Sequence, residues 1–179
     1  MRKTKRLIVR PLELHDYENW RQAHSMHRPP QNEWDETAWK DSELTLAKYK
    51  RYLRQMAERR RLDKHYSFGV FRRDDGILLG HVVFMDVSRN IFQNAYLGYG
   101  IFNNYWGQGY ASEACRAGIE IGFKDLRLQG VKWVSCLYKQ VSSPKQNSIT
   151  RTGRVTRFRF LWCKQVHVTA LTLTKIYCV

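Results

Sequence analysis

Apolar residues fall along this chain in short alternating runs and in stripes of helical spacing, and the two patterns succeed each other from residue 7 to about residue 138. Leu7-Ile8-Val9-Arg10-Pro11-Leu12 reads as a short strand stopped by its proline. Residues 13–25 read as a helix with Leu14, Tyr17 and Trp20 on one face. The turn-rich His27-Arg28-Pro29-Pro30-Gln31-Asn32 that follows is a loop or a broken helix, placed to act as a lid. Over 42–64, Leu46, Tyr49, Leu53 and Met56 stand at i, i+3, i+7 and i+10, which predicts a second helix. Its other faces carry Lys48, Lys50, Arg51, Arg54 and Arg59-Arg60-Arg61, either a solvated surface or a rim that attracts an acidic partner or a phosphate. Residues 67–72 and 77–85 flank Arg73-Asp74-Asp75-Gly76, and Asp-Gly between apolar runs predicts a hairpin, because glycine supplies the turn's positive φ. Residues 95–102 form a further strand, 103–110 a loop, 111–126 a helix and 131–138 the last convincing strand.

A length of 179 residues sets one domain, 1–179, and the absence of repeats agrees with this. With 43% hydrophobic and 26% charged residues the chain is of globular type. No apolar window reaches the roughly 18 residues of a membrane span. The basic start is followed by an apolar run too short for a secretory signal, so the expected compartment is the cytoplasm, away from membranes. Cys115, Cys136, Cys163 and Cys178 lie far apart and without finger-spaced histidines, so neither a metal site nor a disulfide framework is expected. The net charge of +15 is uneven. Residues 1–125 hold 21 Lys and Arg against all 16 Asp and Glu, whereas 126–179 hold ten Lys and Arg and no acid. Basicity concentrated in this way, with no nucleic-acid-binding signature, supports only weak attraction to polyanions, and a nucleic-acid partner is not expected.

The chemistry concentrates where a strand runs into Asn104-Tyr105-Trp106-Gly107-Gln108-Gly109-Tyr110-Ala111 and then a helix. Glycines there let backbone N–H groups crowd around one point that suits a phosphate. The Gly-Lys-Ser/Thr of an ATP-type loop is absent, and Ser112 stands where a dinucleotide fingerprint needs its third glycine. Within the helix, Ala114, Gly118 and Gly122 repeat every fourth residue, as close packing on a sheet requires. In the preceding strand, Gly98 and Gly100 strip one face, which marks a bulge or a ligand approaching the backbone. An extended, amide-bearing molecule with a pyrophosphate accounts for both glycine pairs, and coenzyme A is such a molecule.

Leu97-Gly98-Tyr99-Gly100-Ile101-Phe102, followed by Tyr105-Trp106-Gly107-Gln108-Gly109-Tyr110-Ala111-Ser112-Glu113-Ala114, resembles the acetyl-CoA motif of GNAT-superfamily N-acetyltransferases, most of all the ribosomal-protein N-terminal (RimJ/RimL-type) branch. Asn104 departs mildly from the arginine or glutamine that opens that motif. The resemblance covers about residues 4–138. It implies an α+β, three-layer fold, with a mixed, mostly antiparallel sheet flanked by helices on both faces. Acetyl-CoA is the implied co-substrate, held in a gap between the fourth and fifth strands. The backbone of Gly100, Ile101 and Phe102 would bond its pantetheine, and the N–H groups of Asn104, Tyr105, Trp106, Gly107, Gln108, Gly109, Tyr110 and Ala111 its pyrophosphate. A primary amine, either a protein N-terminus or a small amine, would attack directly from the side of residues 26–36. Tyr99 is the candidate proton acceptor beside the thioester. Asp86 reads as a turn residue, His81 as a packed histidine and Glu113 as a structural one. The alternatives are a catalytically impaired module of the same fold and a basic nucleic-acid-associated protein. Homodimers are common in the family, although no residue here marks one.

Residues 139–179 depart from the family. Where the family has Asn-x-x-Ser/Ala, a helix and Gly-Phe, this chain has Ser142-Ser143-Pro144-Lys145-Gln146-Asn147-Ser148-Ile149 and then an acid-free run to Phe160. The reading is that the chain leaves its ancestral frame after about residue 130. The threonine-rich 169–177 has the alternation of a strand.

Overall fold

The computed structural model describes residues 1–30 and 37–133, and the main chain at 149–150 and 167–168. Strands β1 (Arg2–Lys3) and β2 (Leu7–Arg10) are followed by α1 (Tyr17–Ser25) and α2 (Leu46–Arg61). Next come β3 (Tyr66–Arg72), β4 (Leu78–Ser88), β5 (Asn94–Ile101), α3 (Tyr110–Glu120) and β6 (Gly130–Trp133). The sheet runs in chain order from β1 to β6, and the short β7 (Ile149–Thr150) and β8 (His167–Val168) both pair with β6. Every pairing is antiparallel except β5 with β6, which α3 connects as a crossover. This is the mixed, mostly antiparallel sheet with helices on both faces that the motifs imply. The final strand is described through Trp133. The rest of 131–138, and the strand expected over 169–177, lie outside the described residues. Among the described residues no helix is long and apolar enough to cross a membrane.

Register decides which face each residue meets. Val82 stands opposite Tyr99 and Phe84 opposite Leu97, and this face takes α3. A Cβ on Gly118 would lie 2.9 Å from Val82 Cγ1, and one on Gly122 would lie 3.0 Å from Phe84 Cε1, so both helix glycines serve close packing. The helix expected over 111–126 is an α-helix to Glu120 and then a π-helical turn over Ile121–Asp125, closed by Leu126 N–H donating to the Ile121 carbonyl.

The opposite face carries His81 and Val83 and meets α1 and α2. The entry to α1 is a short 3-10 turn, Leu14–Asp16, in which the Asp16 carboxylate accepts from the Glu13 N–H at 2.8 Å and from both Arg10 terminal nitrogens at 2.7 Å. Thr45 caps α2 by accepting from the Lys48 N–H. Tyr49 is fully buried and donates its hydroxyl to the Glu13 carbonyl at 2.7 Å. Leu53 and Met56 are half-buried, but Leu46 is exposed, so the apolar stripe begins one turn later than its spacing predicts. Asp86 adopts φ 50° where the β4–β5 register shifts, which places it at a bulge.

Candidate active site

The loop from β5 to α3 turns on two left-handed glycines. Gly107 and Gly109 hold φ of 75° and 76°, a region where a side chain costs roughly 1–2 kcal/mol. Gly109 is the residue immediately before α3 and swings the chain into the first helical turn. A Cβ built at Gly107 meets nothing within 4 Å. The first N–H groups of α3 and the positive end of its dipole therefore open onto solvent at Gly107, an arrangement of the kind that suits an anion.

Two sets of side chains hold this loop. On one flank, Glu113 accepts from Thr4 Oγ1 at 2.5 Å, from the Arg6 N–H at 2.8 Å and from Arg6 Nε at 2.8 Å. Arg6 Nη1 donates to the Gln108 carbonyl at 2.9 Å, and the guanidinium lies 4.6 Å over the Tyr110 ring. Burial by itself would raise the Glu113 carboxyl, but the Thr4 hydroxyl and the Arg6 donors outweigh it and hold the group below its ordinary range. Glu113 thus stays ionised and splints the loop to the turn between β1 and β2. Replacing it with glutamine should cost about 1–2 kcal/mol, read as a melting temperature lower by roughly 2–8 °C. Hydrogen exchange should quicken at residues 107–110, and unchanged protection there would remove the splint.

On the other flank, Asn103 is buried, accepts from the Arg28 N–H at 2.8 Å and donates to the Arg28 carbonyl at 2.9 Å. Asn104 accepts from the same N–H at 3.0 Å and donates to the Met26 carbonyl. Where the family motif opens with arginine or glutamine, this chain fastens residues 26–28 to the glycine loop. The lid-like segment is therefore anchored as far as Arg28, and residues 31–36 lie outside the described residues.

The edge of β5 differs from expectation in one respect. The Phe102 N–H donates to the Leu79 carbonyl at 2.9 Å. Strand groups alternate sides, so the main-chain groups of Gly100 and Phe102 face β4, and those of Tyr99 and Ile101 face the other edge. Of the three residues expected to bond a pantetheine, Ile101 alone points outward, and its carbonyl already accepts from Trp106 Nε1 at 2.6 Å. The described β5–β6 pairing ends at Leu97↔Trp133, short of this edge.

Gly98 and Gly100 also have a different cause from the one the sequence suggests. A Cβ on Gly98 would sit 3.2 Å from Val83 Cγ2 and from Met85 Cε, and one on Gly100 would sit 2.8 Å from His81 Cε1. These glycines make room for cross-strand neighbours of the same protein, not for a ligand over the strand face. The coenzyme reading therefore rests on Gly107, Gly109 and the outward edge at Ile101. Tyr99 shares the α3 face with Val82 and packs against the core, on the other side of the sheet from His81.

The His81 face is hollow. A cleft of about 460 Å³ opens between this face and helices α1 and α2. Gly80, His81, Val83 and Phe102 form its floor, and Trp20, His24 and Trp39 stand along one wall. The His24 ring stacks on Trp39 at 4.5 Å and meets Phe102 edge-on at 5.3 Å. Burial pushes the His24 imidazole down to about 4, assisted by the charges of His27, His81 and Lys48. His24 is therefore neutral at pH 7, and its buried Nδ1 has no hydrogen-bond partner among the described residues. Sequence reasoning missed Arg6, Asn103, His24 and Trp39. Arg6 and Glu113 are 107 positions apart, and no local pattern signals their pairing.

The architecture agrees with comparison to known proteins. The model of the acetyltransferase (GNAT) domain matches residues 6–153, past the point near 138 to which the motifs carry the resemblance. The chain belongs to the GNAT acetyltransferase family and is an N-acetyltransferase by class, the general reaction of which moves acetyl to an amine. Its relatives include the probable N-acetyltransferase YjcK of Bacillus subtilis, 29% identical over 132 residues, 74% of this chain and 72% of that one. YnaD of the same organism, an uncharacterized N-acetyltransferase, is 32% identical over 72% of this chain and 68% of its own. Among solved structures, a Vibrio cholerae protein described as a candidate ribosomal-protein-serine acetyltransferase superposes with TM-score 0.59 at 26% identity, over 74% of this chain and 71% of that one. Mycobacterium smegmatis RimJ in complex with CoA-disulfide shares the fold at TM-score 0.57 and 17% identity, over 71% and 61%.

Proposed function

We propose that the protein takes acetyl from acetyl-CoA and passes it to a primary amine by direct attack. The observation that carries this reading is the pair of left-handed glycines at the start of α3, open to solvent and adjacent to an outward strand edge. In this reading the pyrophosphate is received by N–H groups of residues 104–111 other than those of Tyr105 and Trp106, which already donate to the Phe102 and Asn103 carbonyls, and the main chain of Tyr99 and Ile101 receives the pantetheine. The Ile101 N–H then polarises the thioester carbonyl where charge develops. Acetyl-CoA supplies the activated acyl group, and the rest falls to side chains of the cleft. The amine enters between the aromatic wall and the floor, on the face where His81 stands opposite Gly100. His24, held near 4, is poorly matched to take a proton at neutral pH. His81, on the cleft floor, is the side chain placed to do so, in the role the sequence suggests for Tyr99. A protein N-terminus and a small amine both satisfy this geometry.

Acetyl-CoA should raise the melting temperature, and thiol release should follow when a primary amine is added. His81→Ala should keep the thermal shift and lower kcat by about 10²–10⁴. Absence of any shift with acetyl-CoA would remove the coenzyme site. An unchanged kcat would remove His81 from the chemistry.

A further inference from the structure

The cleft carries one sign of charge and one kind of wall. Among the described residues it is lined by two cations, Lys48 and Arg51, and by no aspartate or glutamate. Lys48 stands 4.3 Å over the Trp39 ring and reaches Glu43 only at 3.9 Å. Arg51 is exposed, with no hydrogen bond or ion pair among the described residues. Flat rings lead from the floor to these cations: Phe102 meets His24 edge-on at 5.3 Å, His24 stacks on Trp39 at 4.5 Å, and Lys48 covers the Trp39 ring. The charges of His81 and Lys48 both act on His24, so the floor histidine and the cation are within reach of one ring. Tyr52 and Ser67, hydrogen-bonded at 3.1 Å, divide the cleft from a smaller hollow of about 200 Å³ along α2. At about 460 Å³ the cleft is of the size that encloses one small molecule.

We infer that the acceptor is a free aromatic amino acid, with its carboxylate on Lys48 and Arg51, its ring along Trp39 and Phe102, and its amine at His81. This rests on the acetyl-transfer reading and narrows its acceptor. A cleft with two cations and no lining acid draws in a carboxylate. A planar side chain finds ring faces and edges to pack on, which a ring-free amine leaves unused. The same positive field disfavours the ammonium form of the bound amine and leaves the neutral nitrogen that attack requires. A polyamine brings cations only, and Lys48 already stands over the Trp39 ring that would hold one. In the transfer itself the amine nitrogen bonds the acetyl carbon while the C–S bond breaks toward sulfur. The surplus amine proton goes to His81, and the products are an N-acetyl amino acid and the free thiolate.

The test sets L-phenylalanine beside L-phenylalanine amide, which lacks the carboxylate, L-alanine, which lacks the ring, and spermidine. Each is titrated calorimetrically with coenzyme A present and absent, and assayed for thiol release with acetyl-CoA. L-Phenylalanine should bind at least about tenfold more tightly than the other three, with kcat/KM higher by the same factor. Its binding should weaken with salt. Lys48→Met keeps an apolar stem against Trp39 and removes the charge, and should cut the preference for the acid over its amide by about tenfold. Arg51→Gln, at an exposed position where folding is not at stake, should cut it in the same direction. Glu33, Asp35 and Glu36 lie outside the described residues, and any cation site among them would show as preference for spermidine. That preference, equal or tighter binding of the amide or of L-alanine, or an unaltered preference in the Arg51→Gln variant would each overturn the inference. Titration without coenzyme reports on the cleft alone, so loss of the acetyl-CoA thermal shift remains a separate failure.

Discussion

Gly80→Ala should unfold the protein or lower its melting temperature by about 6–12 °C or more, the largest effect expected of any single methyl group among the described residues. A Cβ there would stand 2.0 Å from the Gly100 carbonyl oxygen, 2.8 Å from Ile101 Cα and 2.9 Å from Gly100 C. All three are main-chain atoms of the neighbouring strand, so no rotamer change relieves the overlap. The close approach arises at a β3–β4 bulge, where the register passes from Val70↔Gly80 to Phe71↔Leu78. Alanine must push β5 away from β4, breaking the ladder that ends in the Phe102–Leu79 hydrogen bond. Overpacking of this kind costs about 3 kcal/mol or more, and for a chain of this size each kcal/mol is worth roughly 2–4 °C. Gly98→Ala is the control. Its Cβ would meet Met85 Cε and Val83 Cγ2 at 3.2 Å, both on side chains that can yield, and should cost about 1 kcal/mol or less. Thermal denaturation of the two variants side by side checks the argument, and equal melting temperatures would overturn it.

That contrast shows what the sequence could and could not convey. The Asp75-Gly76 hairpin, the stripe at Tyr49, Leu53 and Met56, and the glycine loop before α3 were legible because local geometry demands those residue types at those positions. Gly98 and Gly100 were legible as an oddity but not in cause, since the cause sits on the partner strand as His81, Val83 and Met85. Gly80 drew no attention, because the bulge that brings it against β5 follows from three strands meeting. The outward orientation of Ile101, and not of Gly100 or Phe102, depends on which hydrogen bond of the β4–β5 ladder comes last. The cleft needs α1, α2 and the sheet together, and for that reason the sequence left Lys48 and Arg51 open between a solvated surface and a rim for an acidic partner or a phosphate. Sequence periodicity reports the interior of an element well. It is silent on contacts made across a hundred residues, and the Glu113–Arg6 splint and the Asn103–Arg28 tether are of that kind.

Gly107→Val should separate stability from coenzyme binding more cleanly than any other substitution in the loop. Its φ of 75° charges a β-branched residue roughly 1–3 kcal/mol in backbone strain. Nothing lies within 4 Å of the added Cβ, so no packing is lost and the fold should survive with a melting temperature lower by about 2–12 °C. The space that Cβ enters is the space proposed for the pyrophosphate. Charge-assisted hydrogen bonds from loop N–H groups are worth about 1.5–3 kcal/mol each. Displacing the anion from one of them should weaken acetyl-CoA by about 10-fold to about 150-fold. Calorimetric titration of the variant with acetyl-CoA, set beside its melting curve, reads both quantities. A folded variant that binds as the parent does would mean that the open glycine holds no phosphate, and the acetyl-transfer reading would lose its footing.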